Sequence, residues 1–196
     1  MNSKTFKASS AARLDDPERA RWMPAGDAVE MLALRPGMQI AEIGAGTGYF
    51  SLPLAQAVGP AGKVWALDLQ PEMLEILQAK LRQPGAPENI VTRQGEAIST
   101  GLADASCDIA FLANIWHELD DREGVLREMV RILKPDGRVA ILDWRPDVER
   151  PPGPPLEHRV SAEEVAASLR TAGWNEVQVR PFGEFSYLVK ADRGPS

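Results

Sequence analysis

Three glycines spaced two residues apart are the part of this sequence best suited to holding a ligand. Gly44, Gly46 and Gly48 follow an apolar run at 39–43 that indicates a short strand, and they precede a stretch that indicates a helix. Glycine lets the backbone turn sharply and leaves no Cβ atom to keep a ligand away from the chain. The start of the helix adds backbone N–H groups and a partial positive charge. The pattern predicts a nucleotide-like ligand at the end of the first strand.

A carboxylate closes the second predicted strand, at 64–67. Asp68 follows Gly48 by about twenty residues, the separation at which an acid reaches the two hydroxyl groups of a ribose. The glycines do not have the spacing of a dinucleotide fingerprint, because the third comes one residue early and Tyr49 stands where it is expected. Asp68 could also cap the helix that begins near Pro71, and the two roles are compatible.

Polar side chains follow the predicted fourth strand at 107–113 and the fifth at 138–142. Ligands of open α/β sheets bind beyond the carboxyl ends of the strands, where these residues should meet. His117 is the best candidate for a general base, because an imidazole exchanges protons near neutral pH. It could instead hold its own loop through a backbone hydrogen bond. Asp143 could accept a hydrogen bond from a substrate or cap the following loop.

The elements that position these residues alternate between strand and helix, which predicts right-handed crossovers and a parallel sheet. The last two strands, at 176–180 and 185–190, have only residues 181–184 between them. So short a gap permits a hairpin and forbids a parallel crossover. The other elements are a strand at 89–94 and helices at 26–34, 49–58, 71–81, 121–133 and 161–172, the last begun by a capping box at Ser161.

Four motifs in order resemble one family. Glu42-Ile43-Gly44-Ala45-Gly46-Thr47-Gly48 resembles the first motif of class I S-adenosylmethionine-dependent methyltransferases, and Asp68 matches their second acidic position. Gln94-Gly95-Glu96-Ala97 resembles their motif beside the adenine. Residues 133–138 resemble the turn before their fifth strand, with Asp136 where glycine is common. Within the family the chain is most similar to small bacterial methyltransferases that carry a His-Glu-Leu after the fourth strand, here His117-Glu118-Leu119.

The resemblance covers residues 35–190 and implies a fold, a cofactor and a reaction. The implied fold is an α/β, doubly wound, Rossmann-like sheet of about seven strands, mostly parallel with a C-terminal antiparallel hairpin. The implied reaction is methyl transfer from S-adenosyl-L-methionine to a small-molecule acceptor, aromatic or quinone-like acceptors included, with His117 and Asp143 as catalytic candidates. The residues expected to bind the cofactor are Glu42, Gly44, Ala45, Gly46, Gly48, Tyr49, Asp68, Leu69, Gly95, Glu96, Ala97 and Asn114.

Two other interpretations of the same residues stay open. One is a partner subunit that binds S-adenosylmethionine without its own catalysis, because no base is decisive. The other is a nicotinamide oxidoreductase, which Tyr49 and the terminal hairpin disfavour. Three methyltransferase subclasses are excluded. Residues 114–117 lack the prolines of amino methyltransferases that act on nucleic acids. One cysteine is too few for an arsenite methyltransferase. One acid, Asp143, is too few for the metal site of a catechol-type enzyme, so no metal is expected.

Composition predicts a cytoplasmic protein with one main domain. The chain has 196 residues, 44% of them hydrophobic, enough for a single core. A net charge of −6 disfavours nucleic acid and anionic membranes as partners. Cys107 is the one cysteine, which fits a reducing compartment, and neither a signal peptide nor an apolar run of membrane length is seen. We expect a monomer or homodimer.

Two segments are candidates for covers over the ligand. Residues 1–25 are expected to form an extension that could act as a lid, with 26–196 as the single methyltransferase domain. In the resembled family, segments before the first strand often fold over the donor pocket. The proline-rich stretch at 149–155 contains four prolines, which remove donors that a helix or an inner strand needs. It is either a second cover over the acceptor or a surface linker.

Overall fold

The chain forms one sheet with helices on both faces. In this computed structural model, which describes residues 6–148 and 153–193, the strands are β1 (Gln39–Ile43), β2 (Lys63–Asp68), β3 (Ile90–Gln94), β4 (Cys107–Ala113), β5 (Leu133–Trp144), β6 (Asn175–Phe182) and β7 (Ser186–Asp192). The helices are α1 (Arg19–Trp22), α2 (Ala25–Leu32), α3 (Ser51–Val58), α4 (Pro71–Leu81), α5 (Arg122–Ile132) and α6 (Ala162–Thr171). Short 3-10 helices span Ala8–Asp15, Trp116–Glu118 and Leu156–His158.

The order of the strands across the sheet is β3-β2-β1-β4-β5-β7-β6. The first five of these positions pair in parallel, and β7 runs antiparallel to both β5 and β6. The terminal hairpin is therefore confirmed, and so is the doubly wound, mostly parallel sheet. The chain winds outward in one direction from β1 and in the other from β4. Their connections diverge at the carboxyl ends and leave a crevice between them.

Strand β4 lies at the centre of the sheet and is buried on both faces. Ile109 and Phe111 pack with α2, α3 and α4, whereas Ala110 and Leu112 pack with α5 and α6. A strand covered on both sides is expected to be a nearly continuous apolar run, as this one is. Cys107 begins the strand and is a free, buried thiol, as predicted.

One connection differs from the predicted boundaries. Helix α5 ends at Ile132, and the segment expected to be a turn before the fifth strand belongs to β5 from Leu133 onward. The pairing jumps from Cys107–Leu133 to Ile109–Arg138, so residues 134–137 form an irregular extension of the strand. Pro135 has no N–H for the ladder, and this explains why regular pairing stops there.

The described part of the N-terminal extension contains regular secondary structure. Residues Ala8–Asp15 form a 3-10 helix, and a turn leads from it into α1.

At the other end of the fold, the capping box at Ser161 is confirmed. The Ser161 hydroxyl accepts from the backbone N–H of Glu164, and the Glu164 carboxylate accepts from the backbone N–H of Ser161. Within the described ranges, no helix is both long and apolar enough to cross a membrane.

Candidate cofactor and active site

A cavity of about 910 Å³ opens at the carboxyl ends of β1, β2 and β4. Small-molecule sites usually have about 300–1,000 Å³. The strand ends supply its floor, and two further segments supply its walls. These are residues 6–24, called the N-terminal segment below, and the part of the proline-rich stretch that the structure describes, 153–155. Residues 1–5 of the expected lid and 149–152 of the expected second cover lie outside the described residues.

The glycine bend lies directly on the cavity, and its backbone needs glycine. Gly44, Gly46 and Gly48 have φ values of +78°, +54° and +89°, a region that other residues rarely adopt. A Cβ atom on Gly48 would lie 2.4 Å from Leu77, and one on Gly44 would lie 2.5 Å from Ile115. The missing Cβ atoms of Gly44 and Gly48 thus make room for Ile115 and Leu77.

Asp68 is brought to this bend. Its Oδ2 accepts a hydrogen bond of 2.8 Å from the backbone N–H of Gly46, and its Oδ1 accepts one of 2.9 Å from that of Gln70. Burial raises the pKa of Asp68, and these hydrogen bonds partly offset the effect. Gln70, not Asp68, is the N-cap residue of α4. A carboxylate oxygen accepts more than one hydrogen bond, so Asp68 retains capacity for further donors such as the hydroxyl groups of a ribose.

The predicted residues of the third strand line the same side of the cavity as Asp68. Gly95, Glu96 and Ala97 are all there, together with Leu69. Leu69 is 49% exposed, and the nearby Ile98 is 44% exposed. Ile98 was missed by the sequence reasoning. Two large apolar side chains left open to the cavity offer a surface on which a flat heterocycle can be buried.

Two of the residues expected to bind the cofactor lie behind the bend. Glu42 is buried at 2% exposure and accepts a hydrogen bond from the hydroxyl of Ser51. Burial raises the pKa of Glu42 to about 8. Gly48 packs against Leu77, and neither Glu42 nor Gly48 lines the cavity. Their place in the structure is to support the bend. Ala45, Tyr49 and Asn114 do line the cavity.

His117 and Asp143 form a buried pair at the edge of the cavity. Nδ1 of His117 is 2.8 Å from Oδ1 of Asp143, and the backbone N–H of His117 donates to Oδ2 at 3.0 Å. The backbone N–H of Trp144 also donates to Oδ1. An ionised carboxylate can only accept, so Nδ1 donates to Asp143, and in the neutral form of the imidazole this leaves Nε2 as the acceptor. His117 lines the cavity, whereas Asp143 is 1% exposed and reaches it only through the histidine.

Glu118 lies beside this pair, and its side chain is 14% exposed. Its Oε1 is 3.8 Å from Nε2 of His117 and accepts a hydrogen bond of 3.1 Å from the backbone N–H of Phe6. Burial raises the pKa of Glu118 to about 7. The side chain therefore joins the segment Trp116–Glu118, called the histidine loop below, to the N-terminal segment.

Aromatic side chains form the wall of the cavity near His117. The rings of Trp22 and Trp144 are 5.4 Å apart. Arg159 lies over Trp144 at 5.6 Å and donates twice to the carbonyl of Pro154, at 3.0 and 2.7 Å. These contacts hold the described part of the proline-rich stretch against the cavity. No sequence signal distinguished Trp22 from an ordinary core residue.

The N-terminal segment is tied to the cavity rim by long-range hydrogen bonds. Asp15 accepts from the hydroxyl of Thr47 at 2.7 Å and from Nζ of Lys80 at 2.6 Å. Gln70 accepts from the backbone N–H of Ala8 and donates to the carbonyl of Phe6. The segment thus lies across the glycine bend and the start of α4. The sequence predicted a cover here, but none of its contacts.

Comparison with known proteins agrees with this fold and site. Residues 41–141 match the family model described as a methyltransferase domain, and the chain belongs to that family. Its sheet and helices are those of the class I methyltransferases, and S-adenosylmethionine is the cofactor. A crystal structure of an S-adenosylmethionine-dependent methyltransferase from Aquifex aeolicus has a TM-score of 0.90 and 33% identity, over 96% of this chain and 100% of that one.

Two curated relatives carry more specific names. A demethylmenaquinone methyltransferase from Lactobacillus johnsonii is 35% identical over 112 residues, which is 57% of this chain and 46% of that protein. A ubiquinone/menaquinone biosynthesis C-methyltransferase from Shewanella frigidimarina is 32% identical over 116 residues, which is 59% of this chain and 46% of that protein. The matched part of the chain therefore spans less than half the length of these relatives.

Proposed function

We propose that this enzyme transfers a methyl group from S-adenosylmethionine to a small aromatic acceptor of the hydroquinone type, with His117 as the general base. The observation that carries the proposal is the buried pair of His117 and Asp143, whose histidine lines the same cavity as Asp68. A subunit that only bound the donor would not need an oriented imidazole there. The alternative without catalysis is therefore not favoured.

The aromatic wall supports a flat acceptor. Trp22 and Trp144 present two large rings to the cavity, and aromatic rings bury well against one another in offset or tilted arrangements. Both matched relatives are named for quinone-type substrates. An acceptor ring between the tryptophans and the histidine would be held close to the donor, and such alignment supplies a large part of the catalysis of a displacement.

Each residue has a distinct task in this reaction. The donor supplies an electrophilic methyl group on a sulfonium. Nε2 of His117 accepts the proton of an acceptor hydroxyl, which makes the ring electron-rich. A ring carbon then bonds to the methyl group while the bond from methyl to sulfur breaks, and the donor leaves as S-adenosylhomocysteine. The hydrogen of that carbon moves as a proton to the ring oxygen, which restores the hydroquinone. Asp143 holds the imidazole in the required tautomer and stabilises the imidazolium that forms, so it is a positioning residue for this step. The two covers keep water out of the cavity.

The test is turnover of a defined acceptor. The protein is incubated anaerobically with S-adenosylmethionine and 1,4-naphthoquinol, and the methylated ring and S-adenosylhomocysteine are measured by mass spectrometry. We expect His117→Gln to lower kcat by about 10²- to 10⁴-fold and Asp143→Asn to lower it substantially. Both variants should bind S-adenosylhomocysteine as the wild type does.

His158 supplies the matched comparison, because it is the second of the two histidines and also lines the cavity. His158→Gln should retain most of kcat. A loss in this variant with none in His117→Gln would show that the base has been misassigned. If the wild type methylated none of a panel of phenols and quinols, the proposed class of acceptor would be wrong.

A further inference from the structure

Glu118 and His117 present two proton acceptors to the same cavity. Both residues line it, and Oε1 of Glu118 is 3.8 Å from Nε2 of His117. This distance is too long for a hydrogen bond between the two atoms, so each keeps capacity for a third group. Among the described residues, the carboxylates in contact with the ring nitrogens of His117 are those of Asp143 at Nδ1 and Glu118 at Nε2.

The carboxylate of Glu118 is held in place from the N-terminal segment. Its Oε1 accepts a hydrogen bond of 3.1 Å from the backbone N–H of Phe6, and the side chain is mostly buried. Burial raises the pKa of Glu118 to about 7, against the opposing effects of His117 and of the bond from Phe6. The charges of Asp143 and Asp68 also raise this pKa. A carboxyl group with a pKa near neutrality is a stronger base than an ordinary carboxylate and is still partly ionised there.

The proposed reaction has two proton transfers, and His117 can perform only the first. Once Nε2 has taken the hydroxyl proton, the imidazolium has no free lone pair, because Nδ1 already donates to Asp143. The methylated ring carbon still carries its hydrogen at that point, and the ring is not aromatic until this proton leaves. A direct shift to the neighbouring ring oxygen would force a sharply bent path on the proton, far from the alignment that favours transfer. A second proton acceptor is therefore needed.

We propose, on the basis of the function assigned to His117 above, that Glu118 is this second base and carries the proton from the ring carbon to the ring oxygen. The hydroxyl oxygen and the neighbouring ring carbon are separated by two bonds, which ordinary bond lengths and angles make about 2.4 Å. A base acts on an atom that lies within about 2.6–3.2 Å of it. Two bases whose acceptor atoms are 3.8 Å apart can therefore reach the two ring positions at once.

Atoms and charges balance over one turnover. The C–H bond of the methylated carbon breaks, its electron pair restores the aromatic ring, and the proton forms an O–H bond on Glu118. The ring oxygen, which is negative at this point, then takes that proton, and Glu118 returns to the carboxylate. The proton first taken by His117 is released to solvent when the products leave. The positive charge lost from the sulfonium is thus matched by the proton that is released.

Three variants separate proton transfer from the tie to the N-terminal segment. Glu118→Gln keeps an oxygen that can accept from Phe6 but cannot act as a base, whereas Glu118→Ala removes both functions. Glu123→Gln is the matched control, because Glu123 lies nearby on α5 and its side chain is 92% exposed. Each protein is mixed anaerobically with S-adenosylmethionine and 1,4-naphthoquinol.

Two events of the first turnover are timed for each protein. Rapid quench measures S-adenosylhomocysteine, which reports methyl transfer, and stopped-flow absorbance measures the return of the aromatic ring, which reports loss of the carbon proton. In the wild type and Glu123→Gln both signals should rise together. In Glu118→Gln the aromatic ring should return about 10²-fold more slowly than in the wild type, and S-adenosylhomocysteine should form well before it.

Deuterium on the ring that bears the hydroxyl groups gives an independent signature. In Glu118→Gln it should delay the return of the aromatic ring further, because a C–D bond breaks more slowly than a C–H bond. It should leave the formation of S-adenosylhomocysteine unchanged. A side chain that only supported the fold would not make one of the two signals sensitive to deuterium.

The outcomes separate failure of this inference from failure of the proposed function. If Glu118→Ala delayed both signals together while Glu118→Gln behaved as the wild type, Glu118 would only hold Phe6, and the inference would be wrong. It would also be wrong if both signals rose together in Glu118→Gln with no response to deuterium. If the wild type formed no S-adenosylhomocysteine from the quinol, or His117→Gln formed it at the wild-type rate, the proposed function itself would fail.

Discussion

Individual residues of the site are positioned by backbone hydrogen bonds that need no ligand. Asp68 accepts from the backbone N–H groups of Gly46 and Gln70, and Asp143 accepts from those of His117 and Trp144. Two fixed donors on each carboxylate remove most of its rotational freedom. The entropy of ordering these side chains is therefore lost during folding and not during binding, which favours affinity.

Asp68 gives the simplest prediction at the residue scale. Asp68→Ala should weaken binding of S-adenosylhomocysteine at least about tenfold, because the ribose hydroxyls lose a charged acceptor. Asp68→Asn keeps the shape and one acceptor oxygen, and its affinity should fall between those of the wild type and Asp68→Ala. The measurement is calorimetry, with circular dichroism to verify the fold. Equal affinity in Asp68→Ala would refute the ribose contact.

At the scale of elements, the bend between β1 and α3 combines left-handed glycine conformations with close packing. All three of its glycines have positive φ, and two of them pack with no space for a Cβ atom. The backbone N–H groups of Gly44 and Ala45 both donate to the carbonyl of Leu67, at 2.8 Å each. This fastens the bend to the end of β2 and so brings Asp68 to it. The bend and the second strand therefore act as one rigid unit.

Gly48→Ala should lower the free energy of unfolding by about 1–3 kcal/mol, because it combines an unfavourable φ with a contact that Leu77 must relieve. Gly26→Ala is the control. Gly26 lies in α2, and a Cβ atom added there would meet no other atom within 4 Å, so alanine should be neutral or stabilising by up to about 1 kcal/mol. Urea denaturation of the donor-free protein measures both. Similar effects of the two substitutions would show that the bend is not constrained as described.

At the scale of the whole molecule, the cavity is closed by segments that are distant in sequence. The N-terminal segment contacts the start of α4, the glycine bend and the histidine loop, and the described part of the proline-rich stretch is held by Arg159. Two acids are buried behind or beside this cavity. Burial raises the pKa of Glu42 to about 8 and that of Glu118 to about 7.

Glu42 should make global stability depend on pH. Between about pH 4.5 and pH 8 the folded state keeps a proton on Glu42 that the unfolded state has released. The unfolded state binds fewer protons, so the contribution of this group to stability falls as pH rises through that window. Glu42→Gln removes this dependence. Its melting temperature should exceed that of the wild type by a margin that grows from pH 5 to pH 8.5.

The exposed Glu88 provides the control for the loss of one charge. Glu88→Gln should follow the wild-type melting temperature across the same pH range. The variants are compared without donor, by differential scanning calorimetry. A constant difference between Glu42→Gln and the wild type at all pH values would contradict a buried acid with a raised pKa.

The sequence was sufficient where the controlling interactions are local. The glycine spacing predicted the bend. The distance of Asp68 from the bend along the sequence predicted that its carboxylate would lie there. The four residues at 181–184 predicted the hairpin, because no crossover fits in so short a gap. The alternation of apolar strands with helices predicted a parallel sheet, and this places His117 and Asp143 at the same edge. In each case neighbours in sequence fix the geometry, and only one fold satisfies them all.

The tertiary structure alone decided which distant side chains share the cavity. Arg19, Met23 and Asn114 meet although Met23 and Asn114 are 91 residues apart, and no periodicity or motif marks Arg19 as a buried cation. Whether an arginine is exposed or buried depends on the surface that covers it, and that surface comes from β4 and the glycine bend. The sequence therefore determined the framework and the position of Asp68 at the bend, and packing determined the walls, because burial is a property of the whole fold and not of any one segment.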